Sequence, residues 1–122
     1  MTLSGKRVLL VEDEPIIAMS VEDMLADLGC EVVGPALSAA AAEEMARKEQ
    51  IDAALLDINM GDGASFPAAA ILRERNIPFS FATGYGCAGV PADLGQLFVL
   101  AKPYTQENLA NALRNLLADV CR

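Results

Sequence analysis

The chain has 122 residues and a formal net charge of −8, the size of one domain with a real core. That excess of acid excludes the basic face a nucleic-acid binder needs, and it opposes attraction to anionic membranes. No apolar run approaches the roughly 20 residues of a membrane span, and the opening MTLSGKR has no apolar signal-peptide core. His is absent, which removes the commonest general base and the commonest metal ligand. Acid–base or metal chemistry must therefore use carboxylates, Lys or hydroxyls. Cys30, Cys87 and Cys121 are odd in number and share no metal-like spacing, so free thiols in a reducing, cytoplasmic setting are expected.

In chain order, Lys6–Val11 reads as a first strand. Glu12-Asp13-Glu14-Pro15 is a polar loop whose Pro suits the first turn of a helix. Ile16–Gly29 places Ile16, Ile17, Val21, Met24, Leu25 and Leu28 at helical spacing, with Gly29 as C-cap. Glu31–Gly34 reads as a short second strand. Ser38 is an N-cap candidate for an Ala-rich helix running to Glu49. Ile51–Asp57 is a third strand, apolar until it closes abruptly on a carboxylate. Asn59–Gly63 is a turn-forming loop.

A third helix is expected over Ala64–Arg75 and a fourth strand over Ile77–Thr83. The stretch Gly84–Gly95 carries four glycines and Pro91, so a fourth helix there should be short or irregular. Leu97–Leu100 is a fifth strand. Thr105 caps a last helix striped by Leu109, Leu113, Leu116, Leu117 and Val120, and Thr105–Asn108 is a near capping box with Asn in place of Glu or Gln.

Strands alternating with helices predict an α/β, doubly wound fold with a parallel sheet. Right-handed crossovers then put all strand C-termini on one edge. That edge gathers Glu12, Asp13, Asp57, Thr83 and Lys102. Taken singly, each has an ordinary explanation. An acid after a strand often only caps a helix, a Thr at a strand end is a good β-former, and a Lys before Pro is usually surface. Asp57 closes a buried strand, where an isolated charge is costly.

Jointly the five form a chemistry. Crowded carboxylates repel unless a cation joins them. Mg2+ suits an all-oxygen site that lacks His and Cys. An aspartate beside such a cation can act as a nucleophile toward a phosphoryl donor. The Lys102 ammonium and the Thr83 hydroxyl would cover oxygens of the transferred group, and Gly84 leaves room for it.

The segments VLLVEDEP, LLDIN, FATGYG and AKPYT resemble the receiver domain of two-component response regulators, over essentially the whole chain as one domain, 1–122. Within that family, FATGYG followed by glycines looks like a subgroup with a Phe-Ala-Thr-Gly-Tyr signature. The resemblance implies a five-stranded, flavodoxin-like (CheY-like) sheet of strand order 2-1-3-4-5. It implies Asp57 as phosphoacceptor, Asp13 as direct Mg2+ ligand, Glu12 as its partner acting through water, and the Asn59 backbone carbonyl as a further ligand. Thr83 and Lys102, with Pro103 after it, would bind the phosphoryl group.

It also implies a sensor histidine kinase or histidine phosphotransfer protein as partner, no nucleic acid, no membrane, a monomer or weak dimer, and no enzymatic activity beyond self-phosphorylation and self-dephosphorylation. Output would pass by protein–protein contact or phosphoryl shuttling. The alternatives are a receiver fragment of a hybrid histidine kinase and an aspartyl-phosphate phosphohydrolase, although Asn59 stands where such a hydrolase needs its second acid. The sequence departs from the family at Val99, which replaces the usual switch aromatic, in the shorter INMGDG loop, and in the Gly-rich stretch after Thr83.

Overall fold

A computed structural model of the chain describes residues 3–57, 59–60, 63–83, 98–101 and 105–120. Among them, five strands form one parallel sheet in the order β2-β1-β3-β6-β7: β1 Arg7–Val11, β2 Glu31–Ala36, β3 Ala53–Asp57, β6 Phe79–Thr83 and β7 Phe98–Ala101. The remaining strands, β4 Asn59–Met60 and β5 Gly63–Ala64, make a small antiparallel ladder after β3. The helices are α1 Pro15–Asp27, α2 Ala39–Lys48, α3 Phe66–Glu74 and α4 Gln106–Val120. The expected irregular helix over 84–95 lies outside the described residues.

The period of two along each strand builds two cores. From β1, Leu9 and Val11 point to one face and Val8 and Leu10 to the other; from β3, Ala54 and Leu56 oppose Ala53 and Leu55. The first face packs on α2 and α3 through Ala42, Ala46, Ala69 and Leu72, with Phe79 and Phe81 from β6. The second packs on α1 and α4 through Val21, Leu25, Leu109, Leu113 and Leu116. Strands buried on both faces explain why the sequence shows continuous apolar runs here. Helices on both faces make the fold doubly wound.

Several boundaries differ from the sequence reading. β2 runs on to Ala36, past Gly34, because it contains a bulge: Leu9 faces Val33 but Val11 faces Ala36. The C-cap of α1 is Leu28, and Gly29 follows with φ +85, the left-handed position beyond the cap. Ile16 is 82% exposed and belongs to no core, since the buried side of α1 is set by Ala18, Val21 and Leu25. Ala64 belongs to the ladder and α3 begins only at Phe66. Thr105 and Asn108 do form the reciprocal pair: Asn108 N donates to Thr105 Oγ1 at 3.1 Å and Thr105 N to Asn108 Oδ1 at 3.2 Å.

The starts of β1, β2 and β3 are tied together by Arg7. Arg7 Nε donates to the Gln50 carbonyl at 2.7 Å, and its guanidinium pairs with Glu31 at 3.3 Å and Glu49 at 3.7 Å. The Arg7 backbone N–H meets Asp52 Oδ2 at 2.8 Å. One side chain thus joins β1, the start of β2 and the segment from the end of α2 to β3, which leaves the opposite edge for the acids.

Candidate functional site

The apolar run of β1 ends at Val11, and the chain leaves the sheet through Glu12 and Asp13. Its exit is fixed by β2: Glu12 N donates to the Ala36 carbonyl at 3.0 Å. That bond exists because the bulge at Gly34 advances β2 by one residue, so that Ala36 comes level with the end of β1. Glu12 is only 3% exposed, and its Oε2 accepts from Glu14 N at 3.3 Å. Pro15 then opens α1 at its first turn. Three acids, Glu12, Asp13 and Glu14, therefore precede a helix N-terminus, whose positive end favours them.

β3 delivers the third acid. Leu56 is fully buried, whereas Asp57 at the strand end is half-buried. One carboxylate oxygen each from Glu12, Asp13 and Asp57 lies within 4.8 Å of the others. An octahedral Mg2+ with ligands at about 2.1 Å holds opposite oxygens roughly 4.2 Å apart. The trio fits such an ion with small side-chain adjustments, and its all-oxygen donor set matches a hard cation.

The register carries the other strand ends to the same edge. Asp57 faces Ala82 on β6, so Thr83 is one residue beyond it, and Thr83 faces Ala101 on β7. Lys102 is the next residue in sequence. Asn59 starts the ladder two residues after Asp57 and pairs with Ala64. The structure thus brings Glu12, Asp13 and Asp57 together and sets the Thr83 and Asn59 backbones at the same edge. The side chains of Asn59 and Thr83, and the whole of Lys102 and Pro103, lie outside the described residues.

Sequence reasoning missed two contributors, the Ala36 carbonyl and the Gly34 bulge behind it. The Gly34-Pro35 dipeptide inside a β-like run was the available signal, because Gly within a strand often marks a bulge. Beside the acids, α1 leaves Ile16 and Met19 82% and 64% exposed, one turn apart.

A doubly wound sheet with this acid trio at the ends of adjacent strands forms a site suited to a hard cation, and comparison with known proteins gives the family. The response regulator receiver domain pattern matches residues 8–114, and the chain belongs to that family. It is 30% identical over 114 residues to the phyllosphere-induced regulator PhyR of Methylorubrum extorquens, an alignment covering 90% of this chain but 43% of that protein. The chain thus spans less than half the length of PhyR.

Among solved structures, SdrG of Sphingomonas melonis is 41% identical with a TM-score of 0.80, covering 96% of this chain and 99% of SdrG. The receiver domain of a sensor histidine kinase from Pseudomonas aeruginosa is 26% identical with a TM-score of 0.81, covering 94% of this chain and 99% of that domain. That structure holds a magnesium ion coordinated in the active-site cleft. The fold is accordingly the flavodoxin-like, CheY-like α/β fold with a parallel sheet. Among the described residues, no helix is long and apolar enough to cross a membrane.

Proposed function

We propose that the chain is a Mg2+-dependent phosphoacceptor of a two-component system or phosphorelay, phosphorylated on Asp57 by a sensor histidine kinase or a histidine phosphotransfer protein. The observation that carries this reading is the convergence of the Glu12, Asp13 and Asp57 carboxylates within 4.8 Å at one edge of the sheet. An Asp57 carboxylate oxygen attacks the phosphorus of a phosphohistidine. The P–N bond breaks with its electron pair left on the imidazole nitrogen, and a P–O bond forms on Asp57. Glu12, Asp13, Asp57 and the Asn59 carbonyl would hold Mg2+, which when bound neutralises charge on the acids and on the phosphoryl oxygens. Thr83 donates a hydroxyl hydrogen bond to the transferred group, and Lys102 supplies a point charge.

The 122 residues hold no histidine, so the donor histidine lies outside them. Exposed Ile16 and Met19 give such a partner apolar ground beside the acids. The chain acts on its own acyl phosphate rather than turning over other substrates, since Asn59 offers no second acid. Phe81-Ala82-Thr83-Gly84-Tyr85 supports membership of the Phe-Ala-Thr-Gly-Tyr subgroup, with a cytoplasmic setting and output by protein contact or phosphoryl shuttling.

The decisive experiment is labelling with a small phosphodonor, with and without Mg2+. Labelling is expected only with Mg2+ and only at Asp57. Label retained in Asp57→Asn would reject the reading.

A further inference from the structure

The N-terminus of α3 differs from those of α2 and α4. At α2, Ser38 is extended (φ −144°, ψ 161°), and its side chain accepts from Ala41 N at 3.1 Å. At α4, Thr105 Oγ1 accepts from Asn108 N at 3.1 Å. At α3, Ser65 holds the same position but adopts φ −84° and ψ 3°, and its side chain makes no cap bond. Ser65 is 1% exposed, and its Oγ has no hydrogen-bond partner among the described residues. A buried hydroxyl without a partner is destabilising, and a capping residue that does not cap leaves helix N–H groups unserved. Pro67 removes one N–H of the first turn, so the Ala68 N–H is the natural target of a Ser65 cap. Rotating Ser65 to the extended conformation would make that bond.

The uncapped turn adjoins an aromatic cluster. Phe66, the first residue of α3, stands edge-on to Phe81 with ring centroids 5.5 Å apart, and Phe81 stands edge-on to Phe79 at 5.6 Å. Phe81 is fully buried. It faces Leu56 on β3, one residue before Asp57, and faces Val99 on β7, the position where the sequence lacks the family's switch aromatic. A second link comes from the other side. The β4–β5 ladder leads from just beyond Asp57 straight into Ser65, and its Gly63 has φ +145° with open space around it. Ser65–Phe66 therefore connects to Asp57 both through Phe81 on β6 and through the ladder.

We propose that the first turn of α3 is a two-state element that reads phosphorylation of Asp57: aromatic-packed and uncapped in the resting protein, and capped from Ser65 Oγ to Ala68 N–H when Asp57 is phosphorylated. This rests on the phosphoacceptor reading given above. The phosphoryl group and its cation draw on the Asn59 end of the ladder, the ladder moves Ser65, and Phe66 slides off Phe81. Output would then leave from α3 and the ladder.

The test is residue-resolved amide exchange on the 15N-labelled chain, with Mg2+ and beryllium fluoride as phosphoryl mimic. Binding of the mimic is followed at the Asp57 amide. Protection of the Ala68 amide should rise roughly fivefold on binding, the scale of an N-cap bond. Ser65→Ala should bind the mimic yet lose that rise. Phe66→Leu should show part of it without the mimic. Mimic bound with Ala68 protection unchanged, or a rise that persists in Ser65→Ala, overturns the inference and leaves the phosphoacceptor reading standing. Absence of any mimic binding overturns both.

Discussion

Replacing Gly34 by Ala should damage the fold and the acid site together. Gly34 sits at the skip in the β1–β2 ladder with φ +101°, a region L side chains rarely adopt. A Cβ there would lie 2.7 Å from Ala36 N and 3.1 Å from the Leu10 carbonyl oxygen, both backbone atoms that cannot swing aside. The dihedral alone costs about 1–2 kcal/mol, and easing the contact with backbone brings the total to roughly 2–4 kcal/mol.

At roughly 4 °C per kcal/mol for a domain of this size, the melting temperature should fall by about 8–16 °C. Gly5→Ala is the matched control: Gly5 also has positive φ (+78°) but nothing within 4 Å of its Cβ position, so only the dihedral cost applies. The functional consequence follows from the Ala36 carbonyl, two residues past Gly34, which fixes the Glu12 N–H. If Mg2+ binds as proposed and raises the melting temperature, Gly34→Ala should shrink that rise, while Gly5→Ala should leave it intact. Thermal melts followed by circular dichroism, with and without Mg2+, read both effects. Equal melting temperatures for the two variants would refute the argument.

Asp13→Asn removes one of three mutually repelling carboxylates. The metal-free protein should gain about 1 kcal/mol and lose Mg2+ stabilisation; a metal-free melt lower than wild type would contradict the repulsion. Ser38→Ala deletes the acceptor of the Ala41 N–H and should cost about 1 kcal/mol, with labelling of Asp57 unchanged, by chemical denaturation and phosphodonor assay. Burial pushes the Cys30 thiol above its ordinary value of 9.0, so the fold favours the neutral form. Its contribution to stability is fully present below the unfolded pKa and is lost as pH rises through the folded one. Peptide-mapped labelling with a thiol reagent at pH 9 should be slower at Cys30 in native protein than in urea, and equal rates would refute the burial argument.

The parts legible in the sequence are those where a single physical pattern decides. β1 and β3 are apolar on both faces, so their runs and the acids at their ends stand out. Ser38 and Thr105 announce their helices because an N-cap is local chemistry. What was not legible depends on which side of an element meets the sheet. Ile16 counts as apolar in any helical tally, but it lies about 200° around the helix from Ala18 and so faces away from the core. The extra residue in β2 is visible only when its register against β1 is known. Ser65 looks like an ordinary cap in sequence; that it is buried and does not cap shows only in the packed structure. For the site, residue types and their shared edge were readable, whereas the carbonyl that positions Glu12 was not.

The distribution of cations explains why the acid edge calls for a metal. From residue 8 to 46 the chain has no Lys or Arg, while it has Glu12, Asp13, Glu14, Glu22, Asp23, Asp27, Glu31, Glu43 and Glu44. The cations that flank this stretch sit where strands begin or helices end: Arg7 at the start of β1, Arg47 and Lys48 in the last turn of α2, Arg73 in the last turn of α3. Helix C-termini favour them there, and several are already committed, Arg7 to Glu31 and Glu49, Arg47 to Glu43, Lys48 to Glu44. Following each sheet strand past its C-terminal end, the sequence supplies a cation at once only after β7, at Lys102. A phosphoryl group arriving at Asp57 adds about −1.5 to −2 charges to an edge that already holds three carboxylates. One ammonium cannot balance that. On the phosphoacceptor reading proposed above, a divalent cation and Lys102 together would offset most of the added charge.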